Sequence, residues 1–149
     1  MPTKEAIIKA CEVLVAKRVT DIQDAMAVSR EAANNETKSS AGDKYETTRA
    51  MMHFELEKLS GQLSEAEKLR EALFQAAEAP QTSAITVGHV VTTNLGTYFI
   101  GIGLGKIMVE NKSVFAISTA SPIGNLLLGK TLGDEIVFNA VSQRILAVY

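Results

Sequence analysis

Apolar residues in the first half of the chain recur at the spacing of an α-helix. Between Thr3 and Glu78 there is no proline, and Ala, Glu, Lys, Leu and Gln, which lose least on entering a helix, are abundant. The later part of this half shows the alternating four- and three-residue spacing of a heptad seam. The residues of that seam are Tyr45, Arg49, Met52, Leu56, Leu59, Leu63, Ala66, Arg70 and Leu73.

An earlier segment supplies a second helix to cover this seam. Its apolar residues at similar spacing are Ile8, Cys11, Val15, Ile22 and Ala25, with Val19 and Met26 beside them. The two segments are therefore predicted to pair as a long antiparallel helical hairpin, a coiled coil over residues 1–79. Each arm has roughly 30 residues, so the hairpin would be on the order of 45 Å long.

The polar sequence NNETKSSAGDK, residues 34–44, is predicted to form the tip of the hairpin. Asn34 and Asn35 suit the end of the first helix, while Ser39, Ser40 and Asp43 are good N-cap residues for the second. About ten polar residues are more than the roughly 2 to 5 that join antiparallel helices. A plain turn explains the composition, but the length makes the tip a candidate for contact with a partner.

From Pro80 onward the pattern changes from that of helices to that of strands. Six short segments rich in β-branched and aromatic residues are separated by turn signals: GHVVTT, TYFIGIGL, KIMVEN, SVFAIS, EIVFNA and RILAVY. One short helix is predicted at SPIGNLLLGK, with Ser121 as its cap, Pro122 at its first position and Gly129 at its end. The chain is thus predicted to be α+β, with a small antiparallel sheet domain over residues 80–149.

Composition and charge exclude several classes of function. The formal net charge of -2 lacks the basic excess of a protein that holds nucleic acid by its phosphates, so tight independent nucleic-acid binding is not expected. Cys11 is the single cysteine, which rules out a disulfide within the chain. No apolar run approaches the roughly 20 residues of a membrane span, and the charged N-terminal segment is unlike a signal peptide. These features predict a complete, unprocessed cytoplasmic protein.

Other apparent motifs have simpler readings. Gly101, Gly103 and Gly105 alternate at period two, which predicts one face of a close-packed or bent strand rather than a phosphate-binding turn. His53 and His89 lack a second ligand at metal-binding spacing, so no metal is expected in the isolated chain.

The sequence ASPIGNLLLGKTLGDEIVF resembles the carboxy-terminal signature of the Gre family of bacterial transcript-cleavage factors. The signature, Ser-Pro-hydrophobic-Gly-x-x-Leu-hydrophobic-Gly-Lys-x-x-Gly-Asp, is matched by Ser121, Pro122, Ile123, Gly124, Leu127, Leu128, Gly129, Lys130, Gly133 and Asp134. The tip sequence resembles that of the family more faintly, through Tyr45 and Arg49. Gre proteins pair an amino-terminal antiparallel coiled coil with a small carboxy-terminal domain of FK506-binding-protein-like fold, so the resemblance implies that order of domains here.

The resemblance also implies a partner, bacterial RNA polymerase. The sheet domain would dock at the rim of the secondary channel, and the hairpin would enter the channel. The residues implied in partner binding are Ser121, Pro122, Ile123, Gly124, Lys130 and Asp134. Carboxylates at the tip, Glu36 and Asp43 with Glu46 in reserve, would help to hold a second Mg²⁺ ion shared with the polymerase. The chain would then have no catalytic residue or cofactor of its own, and would activate the RNA-cleavage centre of the polymerase.

Two other functions stay open at this stage. The first is a non-catalytic interaction module of the same architecture, which occupies the channel or binds another cytoplasmic protein. The balance of charges from Ser29 to Ala50, four basic against four acidic residues, favours it. The second is a prolyl isomerase, suggested by the fold alone and disfavoured by the scarcity of aromatic residues.

Overall fold

The computed structural model describes residues 1–37 and 42–149, and the side chains of residues 36, 37 and 42–45 lie outside that description. Two long helices are followed by six strands and one short helix, which confirms the predicted α+β class. The elements are α1 Lys4–Thr37, α2 Gly42–Glu78, β1 Val90–Thr93, β2 Thr97–Ile100, β3 Gly105–Val109, β4 Lys112–Ile117, α3 Pro122–Leu127, β5 Glu135–Phe138 and β6 Val141–Val148.

The chain divides into two compact units, and each is described by itself. One consists of Met1–Leu14 together with Leu69–Tyr149, and the other is Val15–Lys68. Helix α2 ends at Glu78, close to the predicted change of structure at Pro80. That residues 1–79 and 80–149 are separate domains stays a prediction.

In the unit Val15–Lys68, apolar side chains meet along the predicted seam. Val15, Val19 and Met26 of α1 are buried, as are Leu59 and Ala66 of α2. The seam on α1 differs in detail from the prediction, because Val19 and Met26 are more buried than the half-buried Ile22 and Ala25. Because an α-helix has 3.6 rather than 3.5 residues per turn, residues seven apart are offset by about 20° around its axis. The buried side of the helix therefore shifts gradually to neighbouring positions along its length.

The six strands form one sheet in the order β3-β4-β2-β1-β6-β5. Neighbours are antiparallel except β2 and β4, which run parallel with Tyr98 opposite Phe115. The prediction that Gly101 and Gly103 lie within a strand was wrong, whereas Gly105 is the first residue of β3. Strand β2 ends at Ile100, because Gly101 takes φ 134°, a conformation that strand residues do not adopt.

The sheet is buried on both faces. Helix α3 lies over one face, with a core made of Ile85, Val91, Tyr98, Ile100, Ile123, Leu127, Ile136 and Ile145. Alternate residues point to the other face, where Val90, Phe99 and Val114 are fully buried. In the same unit, the Tyr149 hydroxyl donates to the Pro2 carbonyl at 2.7 Å, so the N-terminal segment is tied to the last strand.

The tight turn between β5 and β6 contains a strained residue. Asn139 and Ala140 have φ of 51° and 64°, the combination of a two-residue type I′ turn, in which asparagine and glycine are favoured. An alanine in this conformation costs about 1 kcal/mol. We expect Ala140→Gly to raise the free energy of unfolding by about 1 kcal/mol, measured by urea denaturation followed by circular dichroism.

A matched control for this change is available in β6. Ala147 has ordinary strand geometry, so Ala147→Gly should lower stability by about 1 kcal/mol. A destabilised Ala140→Gly variant would contradict the account of the turn.

Candidate functional site: the hairpin tip and the 121–134 signature

The helices extend further into the polar tip than predicted. Helix α1 runs to Thr37, so the prediction that Asn34 and Asn35 end it was wrong. The helix penalty of asparagine is at most about 0.7 kcal/mol, which neighbouring turns overcome. Helix α2 begins at Gly42, and residues 38–41 between the helices lie outside the described residues.

Of the three predicted tip carboxylates, one has a described side chain. Glu46 is exposed near the start of α2. The side chains of Glu36 and Asp43 lie outside the described residues, so their roles stay predictions. Glu46 alone offers at most two oxygen ligands, which fits a group that completes a metal site held by other residues.

A groove of about 560 Å³ adjoins Glu46, and we call it the distal groove. Its described lining is Ala33 from α1 and Glu46, Arg49, Ala50, Met52, His53 and Leu56 from α2. The small side chains of Ala33 and Ala50 leave the groove open, and Met52 and Leu56 contribute apolar surface to its lining. On the rim, His53 Nε2 lies 3.2 Å from a carboxylate oxygen of Glu57, one turn further along the helix.

The described lining of the distal groove does not hold a complete set of metal ligands. Among the residues that the structure describes, no three His, Cys, Asp or Glu side chains converge on one point. The rim carries both signs of charge, from Glu46 and Arg49. The exposed carboxylate of Glu46 and guanidinium of Arg49 can therefore contact polar groups of a partner protein.

The first half of the 121–134 signature builds α3. The Ser121 hydroxyl accepts from the Gly124 N–H at 3.1 Å and donates to the Ser118 carbonyl at 2.7 Å, so it caps the helix as predicted. Pro122 occupies the first turn, where its missing N–H costs nothing. Ile123 and Gly124 are buried. Within this half, Pro122 is the exposed member of the residues implied in partner binding.

The second half of the signature builds a turn that leads into β5. The Asp134 carboxylate accepts from the Thr131 N–H at 2.8 Å and from its hydroxyl at 3.2 Å. The main chain of Lys130 accepts from the Ile85 N–H at 2.8 Å, while its side chain is half-buried. Gly133 takes φ 89°, and its N–H donates to the Ile145 carbonyl at 2.9 Å.

Most residues of the signature therefore have a role inside the domain. Capping uses Ser121, and packing buries Ile123 and Gly124. A partner would reach Pro122, Asp134 and part of Lys130 more readily. Contact of all six residues with a partner stays a prediction.

The sequence did not indicate the role of His89. Its side chain is 1% exposed, and its ring fixes the segment between α2 and β1. Nδ1 lies 3.1 Å from both the N–H and the carbonyl of Thr86, and Nε2 lies 3.0 Å from the Thr82 carbonyl. One nitrogen can donate to a carbonyl while the other accepts from an N–H. His89 thus binds backbone groups that no strand pairing satisfies, through residues three and seven positions before it.

A buried polar network between side chains of the sheet was also missed. The Gln143 side-chain oxygen accepts from the Thr93 hydroxyl at 2.8 Å and from the Tyr98 hydroxyl at 3.1 Å. Tyr98 in turn stacks on Phe115, with ring centroids 5.7 Å apart. The strand alternation from Gln143 to Ile145 was the signal that could have placed Gln143 inward.

Cys11 of α1 is fully buried, as its place on the seam predicted. Burial, and secondarily the charge of Glu12, raises the pKa of its thiol from 9.0 to about 11. The thiolate, which is the reactive form, is therefore scarce at pH 8. We expect iodoacetamide to label the folded chain far more slowly than the chain in urea, measured by mass spectrometry.

The raised pKa of the Cys11 thiol also predicts how the stability of the chain changes at alkaline pH. Because the unfolded thiol loses its proton first, the unfolded state binds fewer protons than the folded state between pH 9 and about 11. The contribution of Cys11 to stability should fall as the pH rises through that range, and Cys11→Ala should remove this part of the pH dependence. Equal rates of iodoacetamide labelling in the folded chain and in the chain in urea would contradict the burial of Cys11.

None of the helices in the described residues has the length and apolar character needed to cross a membrane. Comparison with models of known protein families found no match, and neither did comparison with curated protein sequences.

Proposed function

We propose that this chain is a Gre-like transcription factor that binds bacterial RNA polymerase in the cytoplasm. The observation that carries the proposal is the match of residues 121–134 to the signature of that family. The order of elements, two long helices followed by a mostly antiparallel sheet with one short helix, is consistent with the coiled coil and FK506-binding-protein-like fold of such factors. In this proposal the sheet domain provides most of the affinity, and the hairpin enters the secondary channel.

The chemistry at the tip follows from what the hairpin can supply. RNA cleavage by two metal ions requires hard oxygen ligands for the second Mg²⁺, and the polymerase provides only part of them. Glu36 and Asp43 are the proposed donors from this chain, with the exposed Glu46, three residues after Asp43, in reserve. The chain then activates a catalytic centre that belongs to the polymerase and is not itself an enzyme.

A second candidate function keeps the partner and removes the chemistry. Arg30, Lys38, Lys44 and Arg49 balance Glu31, Glu36, Asp43 and Glu46 between Ser29 and Ala50. A neutral tip attracts Mg²⁺ less than an acidic one, which favours a factor that only occupies the channel.

One assay separates the two functions. Stalled elongation complexes with backtracked RNA are incubated with the wild type, Glu36→Ala, Asp43→Asn or Glu46→Gln, and RNA shortening is followed on gels. If the tip completes the metal site, the wild type accelerates cleavage, and loss of a primary carboxylate slows it at least about tenfold with binding unchanged. Glu55→Gln, which removes an exposed carboxylate further along α2, is the matched control.

Two results would count against the cleavage function. Binding without cleavage in the wild type assigns the tip to channel occupation. Equal cleavage by the wild type and the Glu36 and Asp43 variants would mean that these carboxylates have no role at the metal.

A further inference from the structure

The outer face of α2 carries two neighbouring large apolar side chains in the unit Val15–Lys68. Met51 is 65% exposed and Phe54 is 70% exposed. Residues three and four apart are neighbours on a helix surface, so Met51 and Ala50 both adjoin Phe54. Single exposed apolar residues are ordinary, whereas contiguous ones indicate an interaction surface.

A glycine lies on the same face. Gly61 comes seven residues after Phe54, which places the two on nearly the same side of the helix. A glycine within a helix is less stable there than alanine. A Cβ atom at Gly61 would meet no atom within 4 Å, so packing inside the chain does not require the glycine. It does leave room for the backbone of a second helix to approach closely.

Charged residues on this face are arranged in a self-complementary way. At 3.6 residues per turn, Glu57 and Lys68 lie on one side of the line from Phe54 to Gly61, while Lys58 and Glu65 lie on the other. When two copies of such a helix run parallel about a twofold axis, each side faces the opposite side of the other copy. Glu57 then faces Lys58 of the second copy. Glu65 and Lys68, which form an ion pair of 3.0 Å within the helix, also face Lys68 and Glu65 of the second copy.

We infer that this chain associates with a second copy of itself through the outer face of α2, with the two helices parallel. Phe54 stacks on Phe54 of the second copy, Met51 packs on Ala50, and Gly61 allows close approach. An antiparallel pair centred near Gly61 would also match these charges, Lys58 with Glu65 and Glu57 with Lys68, but it would hold the two Phe54 side chains on the order of 20 Å apart. The parallel arrangement is inferred because it joins both the apolar side chains and the opposite charges. This pairing does not rest on the proposed function, because it uses no contact with a polymerase.

The interface is small, so the association is weak and reversible. We expect a dissociation constant on the order of 100 µM, which is weaker binding than an interface of standard size gives. Sedimentation equilibrium of the full chain, over about two decades of concentration around that value, measures it directly. A chain that stays monomeric at the highest concentration would overturn the inference.

Substitutions separate association from folding. Phe54→Ser should raise the dissociation constant at least about tenfold. Gly61→Gln should do the same while raising the melting temperature of the monomer, because glutamine is a better helix former than glycine. Met108→Ser, which changes a methionine of the sheet that is 60% exposed, is the control and should leave association unchanged.

A charge exchange tests the parallel arrangement. Lys58→Glu alone should weaken association about tenfold, because Glu57 then faces a carboxylate, and the double change Glu57→Lys with Lys58→Glu should restore it. Association of Gly61→Gln equal to that of the wild type, or tighter association of Lys58→Glu, would overturn the pairing.

Discussion

Replacement of Gly124 by alanine should destabilise the sheet domain by about 3 kcal/mol or more, a large part of the 5–15 kcal/mol typical of a domain. A Cβ atom at this position would lie 2.1 Å from the Ser118 carbonyl oxygen and 2.7 Å from the Ser121 hydroxyl oxygen. The first of these atoms belongs to the backbone and cannot rotate away. The second is the cap of α3, so relief of the clash would also break the capping hydrogen bond.

The change can be measured by urea denaturation of the full chain, followed by the near-ultraviolet circular dichroism of its tyrosines. Gly103→Ala is a matched control, because its Cβ would lie 3.8 Å from Cβ of the same Ser118, an ordinary contact. A Gly124→Ala variant as stable as Gly103→Ala would show that the close packing of α3 on residue 118 is not as described.

Replacement of Gly88 by alanine should have an effect of similar size, about 3 kcal/mol, through two causes that add. Gly88 takes φ 93°, which costs a residue with a side chain about 1 to 2 kcal/mol. Its Cβ would also lie 2.4 Å from the Ala76 carbonyl oxygen and 2.9 Å from Ala79 Cβ. The substitution therefore forces the end of α2 away from the segment before β1.

Hydrogen–deuterium exchange followed by NMR measures this loss of stability and shows which strands it affects. In Gly88→Ala, amide protons of β1 and β2 should lose protection, because the Gly88 N–H donates to the Ile100 carbonyl at 2.8 Å beside these strands. Gly96→Ala, whose Cβ would meet only side-chain atoms at 3.7 Å or more, is the control and should have a small effect. Unchanged protection in Gly88→Ala would contradict the described packing.

Periodicity explains why so much of the fold could be predicted. The heptad seam placed Val15, Leu59 and Ala66 in the core, because a helix pair buries positions at that spacing. Alternation placed six strands, because one side of each strand faces a core. The Ser121 cap followed from local chemistry, since a cap bonds to a residue three positions away.

The remainder depends on contacts between residues distant in sequence. The parallel pairing of Tyr98 with Phe115 joins strands that are separated by β3, and no local signal specifies it. The Thr93–Gln143 hydrogen bond spans 50 residues. At the site, the sequence indicated which residues match the signature, but their internal roles became visible only with the contacts of Gly124 and Asp134.

The central claim is that this chain binds bacterial RNA polymerase where transcript-cleavage factors bind. It is tested most directly by competition, in which core polymerase carrying a fluorescently labelled Gre factor is titrated with the full chain and anisotropy is recorded. The account predicts displacement of the labelled factor by the wild type and greatly weakened displacement by Gly124→Ala. Persistence of the labelled complex at about a hundredfold excess of the wild type, about 2.7 kcal/mol beyond equal affinity, would contradict it.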